Sequence, residues 1–126
     1  MENVVRWTLV LIGLVTATPA VALVSAEAGL SAYRLAVPGD PMTLALLQHR
    51  GVLQAALGAA IVWAAFRPWV RIPVAVTAIA TKGTFLALVL ALGGASRAIT
   101  GVAFDVVAIA LLVAIAVRQA RIIIVR

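Results

Sequence analysis

The chain has no cysteine, one histidine, one tyrosine and four carboxylates in 126 residues. Without cysteine it can form no disulfide, thiolate zinc site or iron–sulfur cluster, and no thiol redox chemistry. One histidine and four carboxylates argue against a metal site, and no cofactor is implied. Charge of either sign is scarce, at 11% against about 25% in a typical soluble domain. Negative charge is scarcest, so the formal net charge is +6. That excess is not a nucleic-acid signature, because the cations stand singly at the ends of apolar runs. They form no basic stripe and have no interleaved aromatics.

What is present in quantity is hydrophobic side chain, 65% of all residues. A chain of this length has too little interior to hide so much apolar surface from water. It is therefore read as one integral membrane domain, residues 1–126, in contact with the lipid bilayer. Four apolar segments can be drawn, at about 7–25, 41–66, 72–93 and 98–117. Each has roughly the 20 residues needed to cross a hydrocarbon core of about 30 Å. They are too long for strands and do not alternate. The expected fold is all-α, an antiparallel bundle of four transmembrane helices. The first segment is read as a retained helix and not a cleaved signal, since its apolar stretch is long and contains Pro19.

Local chemistry marks the boundaries. Asp40-Pro41 reads as a helix start, with aspartate as N-cap and proline at the first helical position. Arg67-Pro68 ends the second segment. Gly93-Gly94 breaks the third, and Ser96 is a candidate cap for the fourth. Arg6, Arg67, Arg71, Arg118, Arg121 and Arg126 fall on one side; Arg34 and Arg97 fall on the other with Glu27 and Asp40. Cytoplasmic flanks carry the excess of Lys and Arg, which predicts a multi-pass inner-membrane protein with both termini cytoplasmic.

Topology converts position into depth. His49 and Arg50 come roughly 12–14 Å along the second helix from its outer end. Lys82 falls near the middle of the third, Asp105 about two turns into the fourth, and Glu27 just beyond the first. Charges at such depths cost about 2.5–3.5 kcal/mol each at a helix centre, so they are expected to face inward and pair. Asp105 is expected to pair with Arg50 in the first instance, or with Lys82. Gln54 shares a face with Arg50, Thr77, Thr81 and Thr84 form a stripe beside Lys82, and Gly51, Ala55 and Ala59 form a small-residue stripe for close helix approach. Anchoring at the interface is the alternative reading for His49 and Arg50.

The string HRGVLQAALGAAIVWAAFRP, followed by a helix with a polar centre and then by VAFDVVAIALL, resembles small bacterial four-helix membrane proteins of the DoxX-like superfamily. The resemblance covers roughly residues 44–117. It departs at Thr81-Lys82-Gly83, where such proteins more often carry serines. It implies the four-helix fold and, by analogy, a lipid-soluble ligand.

Three functional expectations follow. In the first, an outward-opening polar pocket formed by Glu27, His49, Arg50, Lys82 and Asp105 takes a hydrophobic small molecule or lipid, with Arg50, Lys82 and Gln54 binding it. In the second, the same pocket is an enzyme's, an isomerase, cyclase or hydrolase with Asp105 or Glu27 as acid and His49 as base or shuttle. A third, an accessory subunit, would place the charges at a contact with a membrane partner. Transport would require a homodimer.

Overall fold

A computed structural model describes residues 1–125; Arg126, counted above among the flanking cations, lies outside the described residues. Among the described residues five α-helices follow one another: α1 (Glu2–Ala17), α2 (Ala26–Ser31), α3 (Pro41–Phe66), α4 (Arg71–Ala91) and α5 (Ile99–Ile124). No strand occurs among the described residues. Four spans are long and apolar enough to cross a membrane: Glu2–Leu23, Pro41–Phe66, Pro68–Ala91 and Ile99–Ile124.

The expected boundaries shift for local reasons. The first helix begins earlier than residue 7, and Ala17 ends its α-helical part. A 3-10 stretch, Thr18–Leu23, completes the span. Pro19 has no N–H to donate and its ring crowds the preceding turn, so the α ladder stops there. Ser25 then caps α2, its hydroxyl accepting the Ala28 N–H at 3.2 Å. This helix falls where only a connection was expected. Asp40 caps α3 as anticipated, accepting the Thr43 N–H at 2.8 Å and the Thr43 hydroxyl at 2.7 Å. The hydroxyl and then the amide hold its carboxyl below the ordinary carboxylate range.

Gly93 closes α4 in the left-handed conformation, φ 76°, and the Gly94 N–H returns to the Val89 carbonyl at 2.9 Å. That is a Schellman closure. Ser96 does not cap α5; Ala98 occupies that place with no side-chain cap bond. The helix also runs past Val117 to Ile124, because neither proline nor glycine interrupts 118–124 and arginines are good helix formers.

The bundle is built as two antiparallel pairs, α1 on α3 and α4 on α5, with a thinner seam between α3 and α4. Its outside is large and apolar: Leu11, Leu46, Leu53, Val76, Leu90 and Val107 are exposed, as residues facing acyl chains would be. Its inside is small: Ala64, Ala65, Ala75, Ala78 and Ala108 are buried beside Leu9, Ile12, Ile61 and Leu112. Lipid removes most of the hydrophobic drive between helices, so close backbone approach takes its place. α1 crosses α3 where Gly13 meets Gly58. A Cβ at Gly13 would stand 2.6 Å from the Gly58 carbonyl oxygen, and one at Gly51 would stand 2.6 Å from the Pro19 carbonyl oxygen. The close approach thus uses Gly51 and Gly58, two turns apart, and not the anticipated Ala59, which is exposed.

One end of the bundle is closed by Arg71. It was expected to be a flanking cation but is only 2% exposed. Its Nε donates to the Ala64 carbonyl at 3.1 Å and one terminal nitrogen to the Ala65 carbonyl at 3.1 Å. These are carbonyls that the end of α3 leaves without intrahelical partners. The guanidinium also meets both Glu2 carboxylate oxygens, and it reaches Gln119 Oε1 at 3.5 Å. Arg118 approaches Glu2 at 3.8 Å. The start of α1, the end of α3, the start of α4 and the last turns of α5 therefore converge on one side chain.

The crossing of α1 and α3 gives a test. Gly13→Ala must overpack the contact and is expected to cost about 1–3 kcal/mol. Gly83→Ala, at a helical site with nothing within 4 Å of the new Cβ, should be neutral or stabilising. Thermal unfolding in a mild detergent reads both. Equal behaviour of the two variants would refute the close crossing.

Candidate functional site

The opposite half of the bundle is not closed in this way. Between α1, α3, α4 and α5 lies a cavity of about 300 Å³. Its polar lining includes Thr16, Arg50, Gln54, Thr81, Lys82 and Asp105, and its aromatic lining is Tyr33, Phe85 and Phe104.

Lys82 and Asp105 form its floor. Lys82 is 5% exposed and Asp105 9%, and the ammonium donates to Oδ1 at 2.7 Å. The two meet because α4 and α5 are antiparallel neighbours and each residue lies on the face toward the other helix. The ammonium also lies 5.1 Å from the centroid of the Phe104 ring, a cation–π distance. Asp105 therefore pairs with Lys82 and not with Arg50, the partner first expected.

Arg50 makes a different arrangement. Its guanidinium stands 5.4 Å from the Tyr33 ring centroid and 5.3 Å from that of Phe85. These rings meet edge to face, 6.3 Å apart. One N–H donates to the Tyr33 hydroxyl at 3.4 Å, and among the described residues Arg50 has no carboxylate partner. Tyr33 reaches this place from the turn after α2. Sequence reasoning passed over it because nothing local distinguishes a tyrosine that folds inward from one left at the interface.

Gln54 lines the cavity one turn below Arg50, as their spacing predicts. Thr16 was not anticipated. It lines the cavity, is 3% exposed, and its hydroxyl has no hydrogen-bond partner among the described residues. Leaving such a group unsatisfied costs about 1–3 kcal/mol. No sequence signal marked it, since a threonine in an apolar helix ordinarily bonds back to its own backbone. The stripe on α4 does just that: Thr77, Thr81 and Thr84 donate to the carbonyls of Pro73, Thr77 and Ala80 at 2.9, 3.0 and 2.8 Å.

Glu27 and His49 are placed elsewhere. Both are exposed, Glu27 in the first turn of α2 and His49 on α3, and neither is among the residues lining this cavity. His49 and Arg50 are adjacent, and a helix turns about 100° per residue, so one can face inward while the other faces out. Compared with family models, curated proteins and solved structures, the chain matches none.

The ion pair yields a stability test. Asp105→Ala leaves a buried ammonium uncompensated and is expected to cost about 3–5 kcal/mol. Lys82→Met with Asp105→Leu removes both charges at similar volume and should recover most of that loss. A double variant as unstable as the single one in thermal unfolding would show that the charges are not coupled.

Proposed function

We propose that the chain is a small polytopic membrane protein that binds a hydrophobic small molecule or lipid in the cavity above Lys82 and Asp105. The observation that carries this reading is a cavity of about 300 Å³ within the bundle whose wall holds an amide, Gln54, and a buried ion pair, Lys82 and Asp105. A bundle under selection only to fold would gain by filling this space with leucine, since apolar packing avoids both the desolvation and the void. With Lys82 and Asp105 satisfying one another, Gln54 supplies hydrogen bonds to a ligand's polar head. Phe85 and Phe104 supply apolar surface for its body.

The enzymatic alternative ranks second. Asp105 and Lys82 would serve it as acid and electrostatic stabiliser, but the base and shuttle assigned to His49, and the acid role of Glu27, would have to act from outside the lining. Membership of the DoxX-like superfamily, and with it a bacterial origin, is likewise our proposal, supported by the HR…AAFRP string and the four spans. So are a partner subunit and a homodimer as assembly alternatives.

Filling the cavity tests the binding reading. A molecule copurifying with the parent protein in mild detergent, seen by native mass spectrometry, should be lost from Thr16→Leu with Gln54→Leu, while folding persists. An equally occupied double variant, or a folded parent carrying nothing specific, would overturn it.

We also propose an inner-membrane location with both termini cytoplasmic. Arg6, Arg67, Arg118 and Arg121 surround the Arg71 end, and the exposed Trp7, Trp63 and Trp69 gather there as an interfacial belt would. Arg71 itself is neutralised within the bundle by Glu2. Since the chain has no cysteine, single cysteines report cleanly. One at Ala36 should react with an impermeant thiol reagent added outside intact cells, and one at Ala120 should not. The reverse pattern would invert the assignment.

A further inference from the structure

Beside the cavity just described lies a second, of about 250 Å³, which shares Pro19, Tyr33, Arg50 and Phe85 with it. The 3-10 stretch, α2, the first half of α3, the last turns of α4 and the 94–98 connection enclose it, all at the end of the bundle away from Arg71. Its walls are almost wholly apolar, with Leu30, Leu35, Leu47 and Val89 among them. Its charged lining is two arginines, Arg50 and Arg97, and its lining includes no carboxylate. Neither arginine forms an ion pair among the described residues.

This charge pattern is informative because the two cations buried in the bundle do not share it. Arg71 and Lys82 each have a carboxylate in contact. Arg50 is half-buried, presents five N–H donors, and among the described residues makes one hydrogen bond, to Tyr33. Since that hydroxyl accepts from Arg50, its own proton is free for another acceptor. An apolar chamber with two unneutralised guanidinium groups and a phenol proton calls for an anion attached to a hydrocarbon.

We propose that this outer cavity is a binding site for a single-chain amphiphile with an oxyacid head, a carboxylate or a phosphate. The head sits between Arg97 at the exposed rim and Arg50 within, where the planar fork of arginine matches two oxygens of either group. The first part of the chain lies against Leu30, Leu47 and Val89. The cavity is too small for a whole lipid, so the remainder of the chain runs on into the bilayer. This site goes beyond the inner-cavity reading and does not rest on it: Arg97 is absent from the inner lining, and Thr16, Gln54, Lys82 and Asp105 are absent from the outer one.

The test uses the full chain in phosphatidylcholine nanodiscs, with dodecanoate, dodecyl phosphate and dodecanol as probes and native mass spectrometry as readout. Saturable one-to-one binding of at least one anion, with none of dodecanol, is expected. Carboxylate alone, phosphate alone or both each support the site and name the source of its head. Arg97→Gln should weaken anion binding by about tenfold. Arg34→Gln, which alters an exposed cation at the same end, should not, and neither should Lys82→Met with Asp105→Leu. Melting curves establish that each variant is folded. Binding of neither anion, equal binding of dodecanol, an unaffected Arg97→Gln, or equal losses in Arg97→Gln and Arg34→Gln would overturn the proposal. Loss in the Lys82/Asp105 double variant would overturn it too, by moving the anion to the inner cavity.

Discussion

Arg71 is the side chain on which the arrangement of helices depends. A guanidinium cannot be left unsatisfied away from water, and this one uses Nε and both terminal nitrogens on partners from three other elements. Two partners are backbone carbonyls at the end of α3, one is the first acidic residue of α1, and one is an amide near the end of α5. Moving any of these helices outward strands a charge. The hub therefore acts as a registration device, holding four spans together at one end in a medium that offers little hydrophobic drive for packing.

With that end fixed, the other is free to open. Pro19 stops the regular ladder of α1, and the short α2 lies beyond it. Gly58 brings α3 against α1 at Gly13, and Gly51 brings it against the backbone at Pro19. Toward this end the helices part around two cavities that share Arg50, which lies against the rings of Tyr33 and Phe85. The same residue type thus serves opposite ends differently. At one it is saturated by protein and structural; at the other it lies against two aromatic rings and has donors to spare. Lys82 and Asp105 stand between these cases, satisfied by one another yet lining open space.

Much of the candidate site was legible in the sequence. Arg50, Gln54, Lys82 and Asp105 stood out because a charge or amide in an apolar span is costly and so must be placed with purpose. Depth from the helix end ranked them, and all four line the inner cavity. Depth does not give azimuth, however. His49 passed the same filter as Arg50 and lies exposed on the helix. Glu27 was placed by a topology that lacked α2, and Thr16 was hidden because its residue type is ordinary in such a helix. The pairing of Asp105 turned on azimuth too: Lys82 is on the neighbouring antiparallel helix, and Arg50 is engaged by two rings.

The sequence by itself determined the four spans, the all-α class, the cap at Asp40 and the break at Gly93. These follow from the length of apolar runs and from the backbone chemistry of a few residues, which act locally. Only the tertiary structure decided which charges meet, which threonine goes unpaired, and that Arg71 is an interior hub and not a flank. Those outcomes depend on the rotation of each helix about its own axis and on contacts between residues far apart in the chain, such as Glu2 and Arg71. Rotation is set by packing of small side chains against whole neighbouring helices, and hydrophobicity read along a single helix, nearly apolar all round, carries little of that information.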